Sequence, residues 1–266
     1  MQYDQSHIAR ATCQPSPKRI SLACMSSLSH EIRKFNRFEL KYLISLPQAK
    51  ALQHALHPFL QPDDHGNAQG GYFIRSLYYD SADYRCYWEK IDGIPFRRKL
   101  RIRYYEDESE LSDERRVFVE IKQRVDKTTQ KRRVTMPYAD ARLLCDRRQI
   151  PEHASSDAGT LNEIYGLLAQ YDMRPACIVR YRRQALMGDD LDLGLRVTFD
   201  TELQYRAHPD EMTQTQDLLP MLPADQVVME IKANERVPYW LTELIAAHNL
   251  RAIRLSKYCR AIELSL

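Results

Sequence analysis

Apolar and polar residues alternate along much of the chain, and this alternation predicts eight β-strands. Successive side chains of a strand point to opposite faces, so a period of two indicates a strand with one apolar face. The predicted strands span residues 35–44, 72–79, 97–105, 116–124, 130–137, 177–186, 194–203 and 226–233.

Apolar residues at helical spacing predict amphipathic helices between these strands and after the last one. The predicted helices span residues 47–60, 81–91, 138–148, 160–170, 238–249 and 255–264, and Pro47 suits a first helical turn. Segments 62–71, 106–114 and 206–224 have the turn residues of loops. Strands do not alternate one-for-one with long helices, which favours a mostly antiparallel α+β sheet or barrel over a doubly wound parallel sheet.

Composition narrows the class of protein. The 266 residues are 44% hydrophobic and 28% charged, which is typical of a soluble globular protein and excludes disordered and fibrous classes. No apolar run is long enough for a spanning helix, so we expect a cytoplasmic protein. The 6 cysteines lack metal-binding spacing and predict reduced, structural thiols.

The first residues differ in pattern from the rest of the chain. Residues 1–30 mix Gln, Ser, Pro and Thr without a sustained period and predict a flexible extension, within which Met25 is an alternative start. Residues 31–266 are predicted to form one domain.

Charge is informative through its location, because 39 Lys and Arg against 36 Asp and Glu give a net charge of only +3. Three predicted strands repeat Glu-x-Lys, which places both charges on one face and apolar residues on the other. The pairs are Glu39 with Lys41, Glu120 with Lys122, and Glu230 with Lys232. Other strands place Lys99, Arg101 and Arg103, or Lys131 and Arg133, on one face in the same way.

Two interpretations of this charged face remain open from the pattern. The face is either exposed to water, with cross-strand ion pairs, or turned into a barrel whose apolar outer face is covered by helices. An eight-stranded barrel has room for side chains or one slender ligand, and so many buried cations would require an anionic occupant. Polyphosphate or a nucleoside triphosphate would suit Arg and Lys.

Eight short motifs of charged and aromatic residues follow one another along the chain. The motifs are Arg37-Phe38-Glu39-Leu40-Lys41-Tyr42, Ser76-Leu77-Tyr78-Tyr79-Asp80, Leu100-Arg101-Ile102-Arg103-Tyr104, Val119-Glu120-Ile121-Lys122, Tyr181-Arg182-Arg183-Gln184-Ala185, Arg196-Val197-Thr198-Phe199-Asp200, Glu230-Ile231-Lys232 and Leu255-Ser256-Lys257-Tyr258. In order and spacing they resemble the VTC domain, the catalytic domain of the vacuolar transporter chaperone polyphosphate polymerase, within the triphosphate tunnel metalloenzyme (CYTH-like) superfamily. The resemblance covers about residues 33–264.

The resemblance implies an antiparallel eight-stranded β tunnel, a closed barrel with a basic interior and peripheral helices. It also implies site residues and a divalent metal, Mn²⁺ or Mg²⁺. The implied catalytic residues are Lys41, Arg101, Arg103, Lys122, Arg183, Arg196 and Lys257. The further phosphate-binding residues are Lys131, Arg133, Tyr181, Lys232 and Ser256. The metal ligands are Glu230 first, with Glu39 and Glu120 as secondary candidates for metal or for holding a neighbouring Arg.

Three functions follow from the resemblance as alternatives. The first is a polymerase that transfers the γ-phosphate of ATP to inorganic polyphosphate. The second is a tunnel hydrolase or cyclase acting on triphosphates. Arg37 argues against the second, because it stands where the wider superfamily has the first Glu of Glu-x-Glu-x-Lys. The third is a non-catalytic module that binds phosphate or polyphosphate and regulates a partner, such as a separate membrane protein.

Other features of the sequence predict no further site. The histidines lie mainly in predicted helices and loops, without zincin spacing. Aromatic residues do not follow the spacing of nucleic-acid-binding modules, so no nucleic-acid partner is expected. Alternation places Arg133 and Arg183 on the charged face and predicts that Arg132 and Arg182 lie on the outer face.

Overall fold

The computed structural model describes residues 37–63, 71–106, 111–126, 128–188, 192, 194–214, 216–234 and 236–266, except for the side chain of Arg37. Asn36–Leu266 belong to one compact unit. The predicted extension 1–30 lies outside the described residues, as do parts of the predicted loops 62–71 and 106–114.

All eight predicted strands are present, and two very short strands were not predicted. The strands are β1 (Arg37–Ser45), β2 (Leu60–Pro62), β3 (Tyr72–Asp80), β4 (Phe96–Glu106), β5 (Arg116–Val125), β6 (Thr128–Pro137), β7 (Arg174–Gly188), β8 (Arg196–Ala207), β9 (Leu219–Pro220) and β10 (Gln226–Asn234). The β2 and β9 strands have 3 and 2 residues, too few to show an alternating pattern.

The strands form one antiparallel sheet, which confirms the predicted α+β class. Its main path runs β1-β10-β8-β7-β3-β4-β5-β6, while β2 pairs with β7 and β9 pairs with β8. Strand pairing does not join β1 to β6 in the described ranges, so hydrogen bonds between strands do not close the sheet as the resemblance implied. The free edge of β1 instead receives Ile253, whose N–H donates to the Lys41 carbonyl over 2.8 Å.

In the part of the chain that the structure describes, six helices lie around the sheet near the predicted positions. They are α1 (Leu46–Leu56), α2 (Arg85–Ile91), α3 (Tyr138–Arg147), α4 (Ala158–Gln170), α5 (Tyr239–Ala247) and α6 (Lys257–Glu263). Ser45 begins α1 with a reciprocal capping box to Gln48, and Pro47 lies in the first turn as expected.

The apolar face of the sheet lies on the outside, under these helices. Leu52 and Leu56 of α1 belong to one buried apolar cluster with Phe199, Met229 and Ile231. A second cluster joins apolar residues of β4 and β5 to buried residues of α3 and α4, among them Leu100, Ile102, Val119, Leu144, Leu161 and Ile164. Burial of this outer face drives folding and leaves the charged face inside.

Helix α6 packs against residues of the charged face at one end of the interior. The Tyr258 ring lies 5.2 Å from the Tyr78 ring of β3. The Tyr205 hydroxyl of β8 donates to the Leu264 carbonyl over 3.0 Å. These contacts attach the last helix to strands on both sides of β7.

The Asp80 carboxylate at the end of β3 connects the sheet to two helices. It accepts hydrogen bonds from the backbone N–H groups of Cys86 and Tyr87 in the first turn of α2, over 2.9 and 3.3 Å. It also accepts the Tyr258 hydroxyl of α6, and Asp80 is only 1% exposed. The Asp80 carboxylate therefore satisfies N–H groups at the start of α2 that lack a partner within the helix, and it also holds α6 at the end of the interior.

We expect Asp80→Ala to lower the free energy of unfolding by ~3 kcal/mol, because it leaves buried donors without an acceptor. Urea denaturation measures this change. Asp83→Ala is the matched control, since Asp83 is exposed and accepts a hydrogen bond from the Ser81 hydroxyl. Equal stability of the two variants would contradict the role of Asp80.

Candidate functional site

Strand register brings the charged residues together on the inner face of the sheet. Across β1, β10 and β8, Lys41 lies opposite Glu230, which lies opposite Thr198. Arg183 of β7 lies opposite Asp200 of β8. Register and alternation place these further predicted residues on the same face: Glu39, Arg101, Arg103, Glu120, Lys122, Lys131, Arg133, Tyr181, Arg196 and Lys232.

Glu120 is the centre of a cluster on the β4-β5-β6 wall. Its Oε2 accepts hydrogen bonds from Nε and Nη2 of Arg101 over 2.8 and 2.6 Å, while Oε1 accepts one from Lys131 Nζ over 3.3 Å. The Arg101 guanidinium also donates to the Tyr78 hydroxyl over 2.9 Å. Burial raises the pKa of Glu120, but Arg101, Arg103 and Lys131 outweigh it and hold that pKa far below its usual range.

Asp200 forms a second cluster between β7, β8 and α6. Its two oxygens accept hydrogen bonds from Arg183 Nε and Nη2, both over 2.7 Å, and Oδ2 also accepts one from Lys257 Nζ over 2.6 Å. Burial raises the pKa of Asp200, yet the two cations lower it further than burial raises it. Lys257 lies over the Tyr181 ring, with Nζ 4.6 Å from its centroid. The geometry fixes the Arg183 guanidinium and ties α6 to the inner face.

Glu39 and Glu230 form the third cluster on β1 and β10. Glu230 Oε1 lies 2.7 Å from Lys232 Nζ, and Glu39 Oε1 lies 3.1 Å from Lys41 Nζ. Glu39 Oε2 also accepts Lys122 Nζ over 3.2 Å, which joins β1 to β5 across the interior. Side chains therefore connect the two regions of the sheet that strand pairing leaves separate.

Burial and charge act differently on the carboxylates and lysines of this third cluster. Burial raises the pKa of Glu230, but Lys232, Lys41 and Arg183 hold it well below its usual range. Burial lowers the pKa of Lys232 to about 8, and Arg183 contributes to the lowering while Glu230 opposes it. Lys232 therefore changes charge near pH 8 when the interior holds no ligand.

Several polar atoms of the inner face have no hydrogen-bond partner among the described residues. They are buried and comprise Ser76 Oγ, Thr198 Oγ1, Arg103 Nε and Arg196 Nε. Arg196 also donates through Nη2 to Asp63 and Tyr72 over 2.9 and 3.1 Å. Unpaired buried donors and hydroxyls are costly, so the interior is suited to a polar ligand or water that satisfies them.

Cations exceed carboxylates on this face by more than two to one. Among the described residues, the cations are Lys41, Lys99, Arg101, Arg103, Lys122, Lys131, Arg133, Arg183, Arg196, Lys232 and Lys257, and the carboxylates are Glu39, Glu120, Asp200 and Glu230, with Asp63 beside Arg196. Such an excess in a partly desolvated interior favours binding of a polyanion.

Two predictions about facing residues can be compared directly with the contacts. Arg132 lies on the outer face as predicted, where its Nε donates to Glu163 of α4 over 2.6 Å. Arg182 also lies on the outer face, with Nη1 3.8 Å from Glu202 Oε1.

Ser256 begins α6, where its Oγ accepts hydrogen bonds from the Cys259 N–H over 3.3 Å and from Lys99 Nζ over 3.0 Å. Its observed contacts are those of a helix cap.

Sequence reasoning did not include four inner-face residues among the site residues. Asp200, Lys99, Ser76 and Thr198 all lie within the quoted strand motifs or beside them. Their parity with Arg101, Arg183 and Arg196 was the available signal. Asp200 and Lys99 have partners on β7 and α6, which the alternation along one strand cannot reveal.

The carboxylates of the third cluster fit a divalent metal held mainly by phosphate. The described residues hold no group of three or more His, Cys, Asp or Glu that could bind a metal ion. Mg²⁺ often takes one or two carboxylates and completes its shell with phosphate oxygens and water. Glu230 and Glu39, both ionised and close enough to repel each other, are the carboxylates of this cluster that could supply such oxygens. The contacts of Glu120 are those of a residue that holds Arg101.

Among the described helices, none has both the length and the apolar character needed to cross a membrane. The four described cysteines, Cys86, Cys145, Cys177 and Cys259, are buried and free, in agreement with the prediction of structural thiols.

Comparison with solved structures finds similar chains at low sequence identity. A candidate adenylate cyclase from Bacillus halodurans is 14% identical, with 84% of this chain and 94% of that chain covered and a TM-score of 0.49. A candidate adenylyl cyclase from Hippeastrum, described as having a dominant triphosphatase activity, is 14% identical, with 87% and 97% covered and a TM-score of 0.47. No curated protein matches the sequence.

Comparison with family models is specific. The model of the VTC domain matches residues 36–266, which include every strand and helix described above. The chain therefore belongs to the VTC domain family.

Proposed function

We propose that this protein is a polyphosphate polymerase, which transfers the γ-phosphate of ATP to a growing inorganic polyphosphate chain and releases ADP. The observation that carries the proposal is the excess of Lys and Arg over carboxylates on the inner face, together with buried polar atoms that lack partners there. Membership of the VTC domain family supports the same substrate class.

The proposed step needs positioning and charge neutralisation. A terminal oxygen of the polyphosphate chain attacks the γ-phosphorus of ATP and forms a new P–O bond. The bond between that phosphorus and the β–γ bridging oxygen breaks, and its electron pair leaves with ADP. Charge spreads over the equatorial oxygens in the transition state, where fixed cations stabilise it.

The inner-face residues divide into contacts and supports under this proposal. Lys41, Arg101, Arg103, Lys122, Arg183, Arg196 and Lys257 act at the reacting phosphates. Lys131, Arg133, Tyr181, Lys232 and Ser256 bind neighbouring phosphates. Asp200 and Glu120 keep the Arg183 and Arg101 guanidinium groups in fixed orientations, which reduces the reorganisation needed when phosphate binds.

Glu230, with Glu39 beside it, would hold Mn²⁺ or Mg²⁺. Such an ion supplies Lewis-acid neutralisation of phosphate oxygens when bound.

Transfer suits this interior better than hydrolysis does. Hydrolysis benefits from a general base that takes a proton from water, and an efficient base has a pKa near the working pH. Cations hold the pKa of Glu39, Glu120, Asp200 and Glu230 below the usual range, so these carboxylates are weak bases. A phosphate chain end is already an anion and needs no such base.

The defining experiment incubates purified protein with ATP and Mn²⁺ or Mg²⁺, and follows ADP, free phosphate and polyphosphate length together. We expect ADP with a matching amount of long-chain polyphosphate. Free phosphate without polymer would indicate a tunnel hydrolase instead, and tight polyphosphate binding without turnover would indicate a binding module. In Glu230→Gln we expect turnover to fall at least ~100-fold, through loss of metal-assisted charge stabilisation.

Glu230→Gln is expected to retain polyphosphate binding, because it removes a negative charge from a cationic interior. Glu163→Gln is the matched control, since Glu163 pairs with Arg132 on the outer face and should leave turnover unchanged. Wild-type turnover in Glu230→Gln would remove Glu230 from the site.

Neighbouring arginines on β6 provide a test of which face binds phosphate. Arg133 lies on the inner face over the Phe118 ring, whereas Arg132 faces α4. We expect Arg133→Gln to weaken long-chain polyphosphate binding about 5- to 10-fold, or ~1 to 1.4 kcal/mol, through loss of one charge-assisted contact. Isothermal titration should find wild-type affinity in Arg132→Gln. Equal losses in both variants would refute an inner-face site.

Binding should also depend on pH through Lys232. Its pKa of about 8 means that Lys232 is charged below pH 8 and becomes neutral as the pH rises above it. We therefore expect long-chain polyphosphate affinity to fall several-fold between pH 7 and pH 9. Lys232→Arg keeps its charge and should reduce this fall, whereas Lys50→Arg on the exposed face of α1 should not. The same pH profile in Lys232→Arg and wild type would exclude Lys232.

A further inference from the structure

Cations continue outward from the interior along β4 and β5, beyond the residues assigned above. In the register of these strands, Lys99 lies opposite Lys122 and Arg97 lies opposite Arg124. Lys122 in turn lies opposite Lys131 of β6. Because alternate residues share a face, two successive like-charged pairs stand on the inner side of the sheet. Like charges directly opposite each other destabilise a sheet, and among these four cations only Lys122 has a carboxylate partner, Glu39, in the described residues, so the arrangement favours an anion.

Exposure increases along this line, which shows where the interior meets solvent. The side chains of Arg183 and Arg101 are 7% and 17% exposed, while those of Lys122 and Lys131 are 44% and 45% exposed. Arg124 lies one further step outward on β5 and is exposed. Positions two apart in a strand are separated by ~7 Å, a span of a few phosphate units.

Two more cations reach the same place from other elements. Burial lowers the pKa of Lys90 on α2, and the charges of Arg97, Lys99 and Arg254 lower it further. Arg254 precedes α6 and is exposed. We call Lys90, Arg97, Arg124 and Arg254 the rim cations. They come from α2, β4, β5 and the segment before α6.

The rim cations do not form ion pairs with carboxylates in the described ranges. Arg97 Nη1 donates to the Ile94 carbonyl over 2.5 Å, and Arg124 Nε donates to the Asp126 carbonyl over 2.7 Å. Glu89 is held by Arg85 over 2.9 Å, while Asp92 and Asp126 are exposed on adjacent turns. The guanidinium groups thus keep donors free for a ligand from outside.

We propose that the rim cations bind the part of a polyphosphate chain that extends beyond the interior. This inference rests on the proposed function for its ligand, but it concerns binding alone and does not require turnover. It predicts that the protein distinguishes long chains from short ones. A triphosphate fits among the inner-face cations, whereas only a longer chain spans both the inner face and the rim.

The test compares tripolyphosphate and long-chain polyphosphate by isothermal titration at fixed salt. We expect the double variant Arg97→Gln, Arg124→Gln to lose about 5-fold or more of its long-chain affinity, from two partly exposed contacts. Its tripolyphosphate affinity should stay within about twofold of wild type. Lys50→Gln with Arg147→Gln is the control, because both residues are exposed on outer helices and the change of net charge is the same.

Three results would overturn the inference. They are equal losses for short and long chains, a long-chain loss of the same size in the control, and unchanged long-chain affinity in the double variant. Tighter binding of anionic lipid vesicles than of polyphosphate, lost in the same double variant, would assign the rim to a membrane surface. Failure of the wild type to bind either phosphate would instead refute the proposed function.

Discussion

The structure depends on enclosing an excess of positive charge within an antiparallel sheet. Burying a cation without a partner is very unfavourable. Four interior carboxylates provide such partners, and each lies within ion-pair distance of at least two cations: Glu39, Glu120, Asp200 and Glu230. Asp200 and Glu120 stabilise the arginines nearest the middle of the sheet. What remains after this compensation is a net positive interior that a polyanion can neutralise.

The outward residues of the same strands make this arrangement possible. In β4, Leu100 and Ile102 are buried on the outer face, while Arg101 and Arg103 between them point inward. Helices α1, α3 and α4 cover the outer apolar residues, so the hydrophobic core lies around the charged interior instead of beneath an exposed charged face. The side-chain bridge from Lys122 to Glu39 then connects β5 to β1, which backbone hydrogen bonds of the described residues do not join.

Period-two alternation was sufficient to predict the eight long strands and to orient Arg132 away from Arg133. It could not predict β2 and β9, which are too short to show a period, nor the open edge between β1 and β6, which depends on long-range pairing. The sequence pattern did not identify Asp200 as a site residue, because its role depends on hydrogen bonds from Arg183 and Lys257, which belong to different elements. Ser256 was selected by resemblance, although its cap is visible only once α6 has a defined start.

Stability and function make opposite demands on the inner face. Facing cations such as Lys99 and Lys122 weaken the sheet, whereas the same fixed charges form an environment that needs little reorganisation when phosphate binds. The outer apolar residues must therefore supply stability that the inner face lacks, and helix α6 is held both by Asp80 and by the ion pair between Lys257 and Asp200. The inner-face charges can be arranged for a polyanion because much of the apolar burial that maintains the fold lies on the other side of each strand.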